Sequence, residues 1–147
     1  MSHTVTNGAY ALTDDVQLVQ QHLETLCDLV TKQHWGTRRS RRTTRHSFEQ
    51  SRVFLLLHGQ TLAGCCRVLS DESILGYFED VIIDTPHRRK GLGQWMIATV
   101  MQWPNLREVH RWLLDTEDMQ AFYQSIGFAP VPYPQRYLEL VQPYPAQ

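Results

Sequence analysis

The sequence predicts a single α/β domain of the α+β kind, with a central mixed, largely antiparallel sheet flanked by helices. Three observations carry that expectation. Apolar residues switch along the chain between a period of two and a period near 3.6. A basic, glycine-containing turn leads from an apolar strand directly into an amphipathic helix, the crossover expected of a mixed sheet. The 147 residues are enough to close one core around a sheet and short for two.

After an N-terminal strand, residues 15–33 place Val16, Val19, Leu23, Leu26 and Val30 on one helical face, with Asp14 positioned to cap the start. Residues 35–50 are polar and rich in arginine, and read as a loop followed by a short second helix that carries Phe48. Arg52–His58 is a largely buried strand, Gly59 and Gln60 its hairpin turn, and residues 61–69 the antiparallel partner. After a turn at residues 70–73, a further strand covers residues 74–84. Its centre holds Glu79 and Asp80 directly before Val81, Ile82 and Ile83, and acidic residues inside a strand need a reason. Pro86 closes that strand. Leu92, Met96, Val100 and Trp103 then recur at helical spacing until Pro104 stops the helix. Residues 109–115 form another strand and residues 117–126 a short helix capped by Thr116, with Gly127 where helices commonly end in the left-handed region. Residues 128–141 supply two last strands. The resulting order is β-α-α-β-β-β-α-β-α-β-β, without internal repeat, low-complexity tract or linker.

Composition narrows the class. Hydrophobic residues make up 42% and charged residues 20%, the balance of a globular chain. No apolar run approaches the roughly 20 residues of a membrane span, and the first seven residues lack a signal-peptide layout, so a cytoplasmic protein without membrane attachment is expected. Cys65 and Cys66 lie adjacent in an apolar run and, with Cys27, form neither a disulfide framework nor a metal-ligand spacing. Buried free thiols and no metal site follow. The net charge of -1 gives no global attraction for nucleic acid, although Arg38, Arg39, Arg41, Arg42 and Arg45 crowd one segment.

The chemistry-bearing stretch is His87-Arg88-Arg89-Lys90-Gly91-Leu92-Gly93, an Arg-x-x-Gly-x-Gly run between a strand and its helix. Unpaired N–H groups of a first helical turn converge on an anion, glycines admit phosphates close to the backbone, and the helix dipole adds favourable charge. Arg88, Arg89 and Lys90 supply cations. The run is no Walker loop, because Leu92-Gly93 follows Gly91, and no dinucleotide fingerprint, because the third glycine is missing. Coenzyme A is the remaining common pyrophosphate ligand.

Several segments together resemble the ordered motifs of the GNAT acetyltransferases. They are residues 78–84 around Glu79 and Asp80, residues 86–93 with the Arg-x-x-Gly-x-Gly run, Leu113-Leu114, and Ala121-Phe122-Tyr123-Gln124-Ser125-Ile126-Gly127-Phe128. The likeness is close over residues 52–129, and upstream of that it extends to element type and order. It implies an N-acetyltransferase that moves an acetyl group from acetyl-coenzyme A to a primary amine by direct attack. The backbone of Val81, Ile82 and Ile83 would pair with the pantetheine arm, with the Val81 N–H polarising the thioester carbonyl. The turn from Arg89 through Gly91, Leu92 and Gly93 to Gln94, with Arg88 and Lys90, would hold the pyrophosphate.

A lysine-like ammonium has a free pKa of about 10, so a carboxylate must take its proton, directly or through water. Glu79 and Asp80 are the two candidates. Neighbours on a strand point to opposite faces, so only one is expected to face the acceptor. The alternative for either is pairing with an arginine of the Arg38 to Arg45 segment. Tyr123 stands where the family commonly places a hydroxyl near the coenzyme sulfur to protonate the leaving thiolate; the alternative is packing against Phe122 and Phe128. Thr116 replaces an asparagine frequent in the family seven residues before that tyrosine, so a side-chain amide contact to the coenzyme becomes a hydroxyl contact or is lost.

On the acceptor side, residues 35–46 would shape the pocket, and their five arginines suit an acceptor, small molecule or peptide, that carries carboxylate or phosphate. A solvated arginine-rich surface is the alternative. Trp35, His110 and Trp112 are placed either in that pocket or in the core. Two other classes stay open: a nucleic-acid-associated module that grips phosphates through the arginine segment, disfavoured by the near-neutral charge, and a non-catalytic coenzyme A binder used in regulation. A homodimer is compatible with all of these.

Overall fold

The computed structural model describes residues 2–145. The chain divides into two compact units, Met1–Leu114 and Asp115–Gln147. The first contains one six-stranded sheet, β1 (Thr4–Asn7), β2 (Tyr10–Thr13), β3 (Arg52–His58), β4 (Thr61–Ser70), β5 (Leu75–Ile83) and β6 (Arg111–Leu113), ordered as in the sequence. Every neighbouring pair is antiparallel except β5 and β6, which run parallel. That one parallel pair requires a crossover, supplied by α4 (Leu92–Met101). The mixed sheet with flanking helices is the expected fold class.

Burial of five consecutive residues, Val53 to Leu57, means that β3 is covered on both faces. On one, α2 (Leu23–Thr31) and α3 (Arg41–Glu49) contribute Leu26, Leu29, Val30 and Phe48 to a core with Val53, Leu55, Leu57, Cys65 and Ile82. Elsewhere Phe54 meets the fully buried Trp103 edge to face, with ring centroids 5.0 Å apart. Phe48 lies in a short helix after a loop, as expected, with Arg41, Arg42 and Arg45 in the helix itself, and Ser40 caps that helix by accepting the Thr43 N–H at 3.1 Å.

Four expectations are corrected. The N-terminal strand is a hairpin of two, turned at Gly8 with φ +58°. The long first helix is interrupted at His22, giving α1 (Val16–Gln21) and α2, and its cap is Asp15, which accepts the Leu18 N–H at 3.0 Å. Asp14 is instead drawn into a part-buried cluster, bonded to the His3 N–H at 3.0 Å, Arg52 at 2.9 Å and the Trp103 indole at 3.0 Å. The strand expected over residues 109–115 shortens to β6.

The second unit holds α5 (Gln120–Ile126), which starts three residues later than expected and ends at Gly127 with φ +116°. The two last strands expected over residues 128–141 are not formed. Pro130, Pro132 and Pro134 remove a backbone donor at every second position, and the segment is irregular apart from a 3-10 turn at Pro134–Arg136.

Candidate active site

The site is built around an irregularity in β5. Cys65 pairs with Ile82 and Arg67 with Glu79, so the single residue Cys66 faces two, Asp80 and Val81. Asp80 takes φ +50°, a left-handed conformation that aspartate tolerates better than most residues. This is a β-bulge, which interrupts the ladder and re-aims the side chains beside it. One consequence overturns the strict alternation expected of the two acids. Both carboxylates reach the same guanidinium: Arg67 Nε donates to Asp80 Oδ2 at 2.8 Å, and Arg67 Nη2 lies 3.7 Å from Glu79 Oε2.

The environments of the two acids differ. The Asp80 side chain is 2% exposed and its other oxygen accepts from Arg39 Nη2 at 2.7 Å. The Glu79 side chain is 35% exposed. Arg67, itself buried, also donates to Ser51 Oγ at 3.1 Å. The Asp80 carbonyl accepts from the Cys65 thiol at 3.4 Å. Burial, reinforced by the Asp80 charge, pushes the Cys65 thiol well up, and burial does the same to Cys66, so both stay protonated and unreactive. All three cysteines are free and buried.

Beyond β5 the chain makes a 3-10 turn, Thr85–His87, and then the basic loop. Arg89 and Gly91 adopt φ +63° and +72°, left-handed backbone of the kind from which anion-binding nests are built. Among the described residues, no hydrogen bond within the chain uses the N–H of Arg89, Lys90 or Gly91. A Cβ built on Gly91 would meet no atom within 4 Å. Unused N–H donors with open space at Gly91, at the start of α4, fit a pyrophosphate, so the residues present suit coenzyme A. Side chains brace the loop from behind. Arg88 Nε donates to the Ile83 carbonyl at 2.8 Å, Tyr10 Oη hydrogen-bonds His87 Nδ1 at 2.8 Å, and Lys90 Nζ donates to Tyr10 Oη at 3.4 Å.

The arginine segment is largely paired internally. Arg41 binds Glu24 and Asp28 of α2, each at 2.8 Å, and Arg45 binds Glu24 and Glu49. Arg42 is exposed and has no ion pair among the described residues. Trp35 packs on the core beneath Arg39, whose guanidinium carbon lies 5.8 Å from its ring centroid. Trp112 stacks on Phe78 with centroids 4.7 Å apart, and His110 is exposed. Within the second unit, Tyr123 packs between Phe122 and Phe128 at ring distances of 5.0 and 5.9 Å, and the Thr116 hydroxyl accepts the Met119 N–H at 3.0 Å. Among the described residues, no group of three or more His, Cys, Asp or Glu side chains is placed to hold a metal ion, and no helix is long and apolar enough to cross a membrane.

The sequence model of the acetyltransferase (GNAT) family matches residues 20–128, most of the chain and all of the site in β5 and its loop. The chain belongs to the GNAT acetyltransferase family. A Xanthomonas campestris protein assigned to the same family superposes with a TM-score of 0.81 at 23% identity, over 91% of this chain and 94% of that one. A GNAT-family acetyltransferase from Streptococcus pneumoniae gives a TM-score of 0.65 at 18% identity, with 97% of each chain covered. A Clostridium acetobutylicum protein described as an acetyltransferase with acetyl-CoA gives 0.66 at 12% identity, over 96% of each chain. These likenesses establish the GNAT fold. A Gibberella zeae protein that carries an acetyltransferase name is 35% identical over 68 residues, which are 44% of this chain and 37% of that protein. The match therefore spans little more than a third of that curated relative's length.

For Asp80 the structure realises the alternative of pairing with an arginine of the Arg38 to Arg45 segment, Arg39, whereas Arg67 is a candidate-site residue that the sequence does not single out. For Arg67 a signal exists: a charge in the middle of the buried run of β4 must be paired, and the acids of the next strand are its nearest neighbours.

Proposed function

We propose that this GNAT protein is an N-acetyltransferase that moves an acetyl group from acetyl-CoA to a primary amine of a small molecule or peptide. The observation that carries the reading is the nest at Arg89 and Gly91, directly after a bulged strand that bears a part-exposed carboxylate. Acetyl-CoA supplies the activated thioester. The amine nitrogen forms the new C–N bond, the C–S bond breaks, and the amine proton passes to a base. Glu79 fits the base better than Asp80, since its side chain is 35% exposed while both Asp80 oxygens are bonded to the guanidinium groups of Arg39 and Arg67. The Val81 N–H beside the bulge is the proposed donor to the acetyl oxygen, and Tyr123, by resemblance, the acid that protonates the thiolate. At least three of the five arginines, Arg39, Arg41 and Arg45, are tied to carboxylates of the chain, which leaves less free positive charge to favour a strongly anionic acceptor.

Calorimetric titration with acetyl-CoA, against dephospho-CoA and ATP as controls, tests binding; thiol release with a panel of primary amines tests transfer. Micromolar binding that prefers acetyl-CoA is expected. Glu79→Gln should lower kcat by about 100-fold or more, and Tyr123→Phe should slow turnover while leaving the acetyl-CoA Kd nearly unchanged. Absence of binding to any coenzyme A form overturns the reading.

A further inference from the structure

The geometry points to Asp80 as a positioning residue that, with Arg39, anchors the acceptor-side loop to the β5 bulge, while proton transfer belongs to its neighbour Glu79. This rests on the acetyltransferase reading above. Asp80 lies at the junction of three segments. Its Oδ1 holds Arg39, the residue that follows the 3-10 turn Gly36–Arg38 between α2 and α3. Its Oδ2 holds Arg67 of β4. Its backbone forms the bulge in β5, with the carbonyl capped by the Cys65 thiol.

A carboxylate with both oxygens in charge-assisted bonds at 2.7 and 2.8 Å has both oxygens engaged by arginines of the chain. That arrangement suits a clamp and not a base. Arg39 reaches Asp80 at a cost, because its Nε is buried without a partner among the described residues. The Asp80 bond therefore dictates where this part of the loop lies. Gly36 fixes the loop's other end, since its Cα packs so closely on α2 that a Cβ would fall 1.9 Å from the Val30 carbonyl oxygen. The loop is thereby pinned between α2 and the strand whose backbone faces the acetyl group, and Arg67 extends the same clamp to Glu79. Presentation of the amine and position of the base depend on one buried carboxylate.

Asp80→Asn is the informative variant, because asparagine tolerates the left-handed backbone and keeps the shape while the charge is lost. Hydrogen exchange of Asp80→Asn and Arg39→Gln should be at least tenfold faster in residues 36–40 than in the parent, with residues 88–94 unchanged. The acetyl-CoA Kd should stay within threefold. With the amine selected by the thiol-release screen, kcat/KM should fall 10- to 100-fold in either variant, and in the double variant no further than in Asp80→Asn, because the Arg39–Asp80 ion pair is already lost there. The acid limb of the pH–rate profile should survive in Asp80→Asn and disappear in Glu79→Gln. Unchanged exchange in residues 36–40 overturns the clamp. Loss of the acid limb in Asp80→Asn with full turnover in Arg39→Gln makes Asp80 the base and also overturns it. If no amine is turned over, the transfer reading fails while the exchange pattern still decides the clamp. If Asp80→Asn does not fold, Arg39→Gln alone carries the exchange test.

Discussion

Gly91 separates what the basic loop does for folding from what it does for binding. Its φ of +72° lies in the left-handed region, and no atom of the chain lies within 4 Å of the position a Cβ would take. A side chain here therefore meets open space, and the folded state loses only the backbone preference, about 1 kcal/mol. For a chain of this size that lowers Tm by roughly 3 °C. Binding should respond far more strongly. A glutamate side chain that brings its charge within about 5 Å of one phosphate charge adds about 3 kcal/mol at an effective dielectric near 20, or about 100-fold in Kd. Gly91→Ala should show the same small loss of Tm with a binding loss of about tenfold, since it adds bulk without charge. Thermal melts followed by circular dichroism, paired with acetyl-CoA calorimetry, read both quantities. Acetyl-CoA binding within threefold of the parent in Gly91→Glu would refute the cradle. A fall in Tm above about 10 °C in both variants would mean that the glycine serves the fold and not an anion.

Two further perturbations test the scaffold. Gly36→Ala puts a Cβ 1.9 Å from the Val30 oxygen and 2.8 Å from its carbonyl carbon, both backbone atoms that cannot rotate away. The loop must move, at about 2–3 kcal/mol; the amine KM should rise while acetyl-CoA affinity is kept, and a Tm within 2 °C of the parent would contradict the close approach. Asp14 tests the core by pH. Burial alone would raise its pKa, but the His3 N–H, the Arg52 guanidinium and the Trp103 indole N–H together hold it below the ordinary carboxylate value. A depressed folded pKa gives stability that is full above the unfolded value of about 3.9 and is lost as pH falls through the folded one. Urea titration should find Asp14→Asn less stable than the parent by about 2 kcal/mol at neutral pH, with the gap closing below about pH 4. A gap unchanged at acid pH would exclude the charge as its source.

What the sequence disclosed, and what it hid, follow from the same physics. The basic turn was legible because left-handed glycine, cations and a helix start must coincide to hold a pyrophosphate, and Arg89 and Gly91 do take that conformation. The bulge was not, because inserting one residue into a strand leaves the run from Gly76 to Ile83 apolar and acidic in the same order while moving Glu79 and Asp80 onto one guanidinium. The two last strands were suggested by Tyr137, Leu138, Leu140 and Val141, but alternate prolines upstream withhold the donors a ladder needs, and these four side chains remain exposed. The arginine segment is the most instructive case. Five cations in eight residues look like an anion platform until Arg41 and Arg45 are found paired with the preceding helix, where Glu24 and Asp28 stand one turn apart. Those two acids bind Arg41, and Glu24 also binds Arg45, so two of the five arginines pair α3 with α2. Arg39 reaches inward from the same segment, and together with Arg67 it pairs with the buried Asp80 of the bulge.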